Sequence, residues 1–238
     1  MSANYTAVLF SGGLDSAVLL AEAATRGPVH ALYVGVGFAW ESEERAMAAR
    51  LFARPPFAGA IEPPVELRFD MLDVFSSAHW AVRGEPPAFD TPDEDVYLPG
   101  RNVILLSKAA VYAAATSARA MAAKRTAVES TQVTLLLGTL AGNPFPDATP
   151  AFFAAMSRAL SLGLGTPIAI EAPVAGLHKA DVIRKGIALG VPLELTLSCM
   201  QPKDGRHCGR CSKCRERRDA FREAGVEDPT SYRHAPIR

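Results

Sequence analysis

The chain has 238 residues, enough for one large domain or for one domain with a small appendage. Apolar residues make up 49% of it, ample for a full core and too many for a disordered protein. Its formal net charge is zero, so the molecule as a whole offers no electrostatic footprint for nucleic acid. Apolar stretches are short and broken by charge, glycine or proline, so no membrane span is expected. Met1-Ser2-Ala3-Asn4 runs straight into apolar sequence without a basic or apolar leader, and a cytoplasmic location is expected.

The first predicted strand, Thr6–Phe10, stops at Ser11-Gly12-Gly13-Leu14-Asp15-Ser16, and a helical pattern runs over Asp15–Thr25. Gly12 and Gly13 lack Cβ atoms, so the backbone can turn tightly there and approach a ligand. The first amides of a helix have no intrahelical partners and lie at the positive end of its dipole. An anion such as pyrophosphate can be held there. Ser11 and Ser16 add hydroxyls to that cluster. No Gly-Lys-Ser/Thr ends the string, so it is not a Walker A loop. The simpler reading is an ordinary strand-to-helix turn with Asp15 or Ser16 as the cap.

Further strands are expected over Val29–Tyr33, Val65–Phe69, Val133–Gly138 and Ile168–Ile170. Helices are expected over Ser42–Phe52, Asn102–Met121, Pro150–Leu162 and Lys179–Leu189. This alternation predicts a doubly wound α/β fold on a mostly parallel sheet, with ligands beyond the carboxyl ends of the strands. The stretch His79 to Leu98 breaks the rhythm with Pro86, Pro87 and Pro92 and the acids Asp90, Asp93, Glu94 and Asp95. A connection this long reads as a functional lid, a mobile loop or an insertion.

All four cysteines fall between positions 199 and 214, whereas a disulfide framework would spread them through a smaller secreted domain. The spacing of Cys199, Cys208, Cys211 and Cys214 lets tight turns, eased by Gly205 and Gly209, aim four sulfurs at one centre. Four thiolates suit structural Zn²⁺. An iron–sulfur cluster and a redox Cys-x-x-Cys pair are the rival readings. From Cys199 onward there are ten Lys/Arg against six Asp/Glu, a basic tail on a mildly acidic body. The expected division is an α/β domain over 1–195 and a four-cysteine segment over 196–238.

The opening Ser-Gly-Gly-Leu-Asp-Ser string, placed after a short apolar strand, resembles the pyrophosphate loop of the ATP pyrophosphatases, which split ATP between its α and β phosphates. Three further segments match, in order, the 7-cyano-7-deazaguanine synthases within that group. They are Leu98-Pro99-Gly100-Arg101-Asn102, Ala172-Pro173 with Leu177-His178-Lys179-Ala180-Asp181, and Ser198-Cys199 with Cys208-Gly209-Arg210-Cys211-Ser212-Lys213-Cys214-Arg215. The resemblance runs nearly end to end. It implies an adenine nucleotide alpha hydrolase-like domain with a C-terminal zinc-bearing helical segment. It also implies an enzyme of queuosine biosynthesis, an ATP-dependent carbon–nitrogen ligase. Such an enzyme turns 7-carboxy-7-deazaguanine and ammonia into the nitrile through an adenylate and an amide, with ATP, Mg²⁺ and Zn²⁺.

By that resemblance Ser11, Gly12, Gly13, Leu14, Asp15, Ser16 and Gly100 hold the nucleotide. Lys179, Asp15 and Arg101 are the catalytic candidates, with Arg101 and Lys179 neutralising the pyrophosphate. Cys199, Cys208, Cys211 and Cys214 hold zinc. With all four sulfurs on metal, no cysteine remains for a persulfide or a glutaminase nucleophile, so nitrogen is expected as free ammonia. A small acid is the other expected partner, and the family commonly forms homodimers.

Two segments depart from the family pattern. After the second strand the family usually has a Tyr-Gly-Gln-Arg-His type stretch, and here it is Val36-Gly37-Phe38-Ala39-Trp40. After the fourth strand a Tyr-rich stretch leads to Pro-Asp-Cys-Arg, and here Pro146 and Asp147 are followed by Ala148 and Thr149. An arginine suits a carboxylate because its planar fork binds bidentately, so its absence opens the identity of the acid. Phe38, Trp40 and Phe145, with Asp147, are the substrate-pocket candidates; the aromatics read equally as core or subunit-contact residues. Two other functions stay open: a family paralogue that adenylates a different acid, and a tRNA-modifying or RNA-binding protein using the basic tail.

Overall fold

Short apolar runs buried on both faces build the sheet at the centre of the molecule. The computed structural model describes residues 4–124 and 132–235. Its five strands are β1 (Tyr5–Leu9), β2 (His30–Gly35), β3 (Val65–Arg68), β4 (Val133–Leu136) and β5 (Ile168–Glu171). All neighbours pair in parallel, in the order β3-β2-β1-β4-β5. Chain direction across the sheet reverses between β1 and β4, which makes the crevice beyond their carboxyl ends the natural ligand position.

Strand residues alternate between two cores. Ala7, Leu32 and Leu135 turn to one face, against α4 (Arg101–Lys124) and α5 (Pro150–Leu164). On α4 the buried set Leu106, Ala109, Ala110 and Ala113 follows helical spacing. Val8, Ala31 and Leu136 face the other side, against α1 (Leu14–Ala24), α2 (Glu41–Phe52) and α6 (Lys179–Ala188). The expected elements are therefore present, with ends shifted by a residue or two at most positions; α4 runs three residues past its expected end. Among the described residues no helix is long and apolar enough to cross a membrane.

Elements that the pattern did not single out lie around the sheet's carboxyl edge. The stretch after β3 carries α3 (Trp80–Arg83) and a single 3-10 turn at Asp93–Val96, and buries Ala81, Val96 and Leu98. The tail carries α7 (Ser212–Ala224), which starts at Cys211 and ends at Gly225, where a φ of 72° suits glycine. Leu193, Leu195, Leu197 and Cys199 pack into the same core as α1 and α6.

Arg217 of α7 is the pin of this tail. Its side chain is 1% exposed. The guanidinium donates to Thr230 Oγ1 (2.6 Å), Thr196 Oγ1 (2.9 Å), Ser198 Oγ (3.2 Å) and the Leu193 carbonyl (2.7 Å). Burying a guanidinium is costly, and this density of partners is what makes it tolerable. Arg217→Ala should therefore lower stability by about 3 kcal/mol or more, through lost bonds and the void left behind. Urea unfolding of the two proteins measures it, and a change within experimental error would refute the pinning role.

Candidate active site and metal centre

The loop after β1 is organised by its own hydroxyls. Gly12 has φ +73°, and its carbonyl accepts from Leu197 N of the tail at 2.8 Å. Ser16 Oγ donates to the Gly13 carbonyl at 3.0 Å and accepts from Ser11 N at 3.2 Å, while Gly13 N donates to Ser11 Oγ at 3.3 Å. The helix cap position is Gly13, without a side-chain cap, so neither Asp15 nor Ser16 caps α1. Ala17 makes the first intrahelical bond, to Gly13 O, leaving the Leu14, Asp15 and Ser16 amides ahead of it. Leu14 contributes only backbone here, since its side chain is in the core. Gly138, after β4, lies so close that a Cβ would sit 3.1 Å from the Asp15 backbone.

Lys179 opens α6 and reaches this loop. Its Nζ is 3.2 Å from Asp15 Oδ2 and 2.6 Å from Glu216 Oε1 of α7. Glu216 in turn accepts Lys213 Nζ at 2.8 Å, and Lys213 also pairs with Asp93 at 3.1 Å. Burial pulls the Lys179 ammonium toward neutrality, but Asp15 and Glu216 more than offset it and raise its pKa. Burial likewise works against the Glu216 carboxylate, yet the two lysines hold its pKa down at about 2. For Asp15 burial wins and the pKa is raised. Its Oδ1 is buried without a partner.

A cavity of about 240 Å³ lies over the loop, with Ser11, Gly13, Asp15, Arg101 and Lys179 in its wall. An outer cavity of about 410 Å³ adjoins it and is lined by the Gly142–Phe145 stretch, His178 and the first turns of α7. A further, apolar groove of about 380 Å³ flanks α2 and β3 and shares no lining residue with these two.

Among the predicted site residues, Gly100 takes φ +77° just before α4 and puts Arg101 at that helix's first position. Trp40 lines the inner cavity and stacks on Trp80 at 5.7 Å. Phe145 lines both cavities and stacks on Tyr97 at 5.2 Å. Phe38 is elsewhere, buried in the core against Trp40 and Phe75. Asp147 is turned onto Asn102, whose backbone N and side-chain Nδ2 donate to its carboxylate.

Sequence reasoning missed Glu216, Lys213 and Glu44. Glu44 lines the inner cavity and accepts from Tyr33 Oη at 2.7 Å. Burial pushes its carboxyl up to about 7, against the opposing pull of Arg101 and the Tyr33 hydroxyl.

Behind the loop the four cysteine sulfurs lie within 4.8 Å of one another, all buried. Cys211 Sγ is 3.5 Å from Cys214 Sγ, and Cys208 Sγ is 3.8 Å from Cys214 Sγ. A tetrahedral ion with metal–sulfur bonds of ~2.3 Å has sulfurs roughly 3.8 Å apart. Backbone amides of Gln201, Cys208, Gly209 and Arg210 donate to the sulfurs, as thiolate ligands require. None of the four is in a disulfide, and together they could hold one metal ion such as zinc.

Fold and site together define a doubly wound α/β protein with a serine–glycine loop at the switch point of its sheet and a four-cysteine centre behind that loop. The family profile described as "Queuosine biosynthesis protein QueC" matches residues 6–225. The chain is 36% identical to a protein of Anaeromyxobacter dehalogenans (strain 2CP-C), over 97% of this chain and 96% of the other. It is 37% identical to one of Thiobacillus denitrificans (strain ATCC 25259 / T1) and 35% identical to one of Methanoculleus marisnigri (strain ATCC 35101 / DSM 1498 / JR1). Each of these two alignments covers 94% of this chain and 96% of the other. All three carry the name 7-cyano-7-deazaguanine synthase. The chain belongs to the QueC family of queuosine biosynthesis proteins.

The Glu44 carboxyl gives a signed pH prediction. Its folded pKa of about 7 exceeds the usual 4.5, so the folded protein keeps a proton that the unfolded chain releases. This contribution is present at low pH and is lost as pH rises through the folded value. Relative to Glu44→Gln, wild type should lose about 2–3 kcal/mol of stability between pH 5 and pH 8. Denaturant unfolding at both pH values reads it, and a constant difference would mean that Glu44 is ionised throughout.

Proposed function

We propose that this chain is an ATP-dependent carbon–nitrogen ligase that converts 7-carboxy-7-deazaguanine and ammonia to 7-cyano-7-deazaguanine. Family membership and the name of its relatives support the reaction. The observation that carries the reading is the convergence of the Ser11–Ser16 loop, Lys179 and Arg101 on one cavity at the sheet's switch point. A substrate carboxylate attacks the α-phosphorus of ATP, the bond to the β-phosphate bridge breaks, and pyrophosphate leaves. The free amides of α1, with Arg101 and Lys179, hold the charge that builds on the leaving group. Such catalysis is chiefly positioning and electrostatic stabilisation. Ammonia then displaces AMP to give the amide, and a second activation, at the amide oxygen, leads to the nitrile.

The unpartnered Oδ1 of Asp15 fits a hard cation, and Mg²⁺ bound there would neutralise phosphate charge. The four-cysteine set fits Zn²⁺, with no ligand position left for water, so its contribution is to folding. A second reading, a family member that adenylates a different acid, draws support from one stretch. The Val36, Gly37 and Phe38 amides all donate to Glu41 Oε1, and Phe38 is in the core, so of this stretch only the Trp40 ring lines the inner cavity.

Pyrophosphate release with 7-carboxy-7-deazaguanine, ammonia, ATP and Mg²⁺, with products weighed by mass spectrometry, separates the two. Nitrile supports the first reading; ATP binding without turnover of this acid supports the second. In the active protein Lys179→Ala should lower turnover by about 10²-fold, as loss of an oxyanion donor does. Unchanged turnover at saturating ATP would remove Lys179 from the mechanism. Cys211→Ser should release metal and loosen the tail, seen as lost metal by elemental analysis and faster proteolysis after residue 196. A metal-free variant that resists proteolysis like wild type would contradict a structural ion.

A further inference from the structure

The inner and outer cavities meet at four side chains, Asp15, Phe145, Lys179 and Lys213. Ser11 and Gly13 line only the inner one. Displacement at phosphorus runs in line, so a nucleophile approaches the α-phosphorus from the side opposite the departing pyrophosphate. With pyrophosphate over the loop, the adjoining outer cavity, which Ser11 and Gly13 do not line, is the space taken for that approach. A carboxylate brought there meets an anionic phosphate, and the repulsion calls for a cation between them.

The lysine and arginine side chains lining the outer cavity are Lys179, Lys213 and Arg215. Arg215 donates to the Thr91 carbonyl at 3.1 Å and lines only the outer cavity, away from the junction. Lys179 serves the leaving group in the mechanism above. Lys213 remains, and it stands at the junction. Its partners hold it loosely: Asp93 is 43% exposed, and Glu216 divides its charge between Lys213 and Lys179. The exposed Asp93 pair exchanges for an incoming carboxylate at little cost, while the Glu216 pair keeps the ammonium in place.

We infer that the outer cavity is the acid subsite and that Lys213 is the residue that recognises the substrate carboxylate. The inference rests on the adenylation reading above, because it requires an acid as nucleophile. The carboxylate oxygen bonds to the α-phosphorus as the bond to the pyrophosphate bridge breaks; Lys213 takes no part in bond making and transfers nothing. Its place in the chain, between Cys211 and Cys214, gives the metal centre a second consequence. The turn that aims two sulfurs at the ion also fixes this ammonium at the cavity junction.

The test compares wild type with Lys213→Met and Lys213→Arg, each first checked for retained metal and for ATP binding. Lys213→Gln is the substitute if the methionine variant loses metal. The probes are 7-carboxy-7-deazaguanine and the same ring without its carboxylate, titrated by calorimetry and followed by KM measurements. Lys213→Met should bind the acid about tenfold more weakly or worse, as loss of a charged hydrogen bond does, with a matching rise in its KM. Its affinity for the bare ring and its KM for ATP should not move, and Lys213→Arg should recover part of the loss.

An unchanged affinity for the acid, or an equal loss toward ATP, overturns the subsite. Wild type that makes nitrile while Lys213→Met keeps its KM for the acid sinks the subsite alone. Wild type that binds ATP yet does not distinguish the acid from the bare ring sinks both the subsite and the acid assigned above.

Discussion

The ammonium of Lys179, gripped by Asp15 and Glu216, joins three parts of the chain that are far apart in sequence. Asp15 follows the first strand, Lys179 follows the last, and Glu216 lies beyond the cysteines. A buried lysine without anions would shed its proton, and two buried carboxylates without the lysine would repel each other. Each group is therefore tolerable only because the others are present. The arrangement at rest has two anions for one central cation, relieved at its edge by Lys213. A polyanion can enter only if the lysines let go of their carboxylates or a further cation arrives with it. The buried Asp15 Oδ1, without a hydrogen-bond partner, is a ligand such a cation could take.

That dependence makes the tail part of the site rather than a neighbour of it. Leu197 N closes the loop by holding the Gly12 carbonyl, and Cys199 and Met200 form part of the inner cavity wall. Arg217 fixes α7 against the 193–198 stretch, and α7 delivers Glu216 one residue earlier in the same turn. The four sulfurs set where α7 begins, since Cys211 is its cap residue and Cys214 lies in its first turn. A disturbance at the cysteines would thus reach Lys179 through a single helix.

The strands and most helices were legible because each is an apolar run or an amphipathic stripe whose burial follows local spacing. The serine–glycine loop was legible because its residue types meet a local requirement, a turn that frees helix amides. α7 was expected only through the resemblance and not from its own pattern, because Lys213, Arg215, Glu216, Arg217 and Arg218 crowd its first half and read as solvated surface. Its buried stripe, Cys214, Arg217, Ala220 and Phe221, has helical spacing only when an arginine is counted as core. Glu44 was hidden for a different reason. Its partners Tyr33 and Arg101, on β2 and α4, are brought to it only by the folded chain. The simpler reading, a cap at Asp15 or Ser16, does not hold because both side chains have tertiary or loop partners that compete with capping.

The wall facing the loop bears on how the proposed reaction would choose its acid. Trp40 on Trp80 and Phe145 on Tyr97 place flat faces around the cavities, and Phe38 behind them is packing. Aromatic faces favour planar rings but discriminate poorly between rings of similar shape. Polar groups that would sharpen the choice are spent internally: Glu41 on three backbone amides, Asp147 on Asn102. Strong selection must then come from the few charges left facing the cavities. The cations among them, Arg101, Lys179, Lys213 and Arg215, stand on α4, α6 and α7, helices held by the same core and four-cysteine cluster, so under the proposed reaction choice of acid and integrity of the fold would rest on the same contacts.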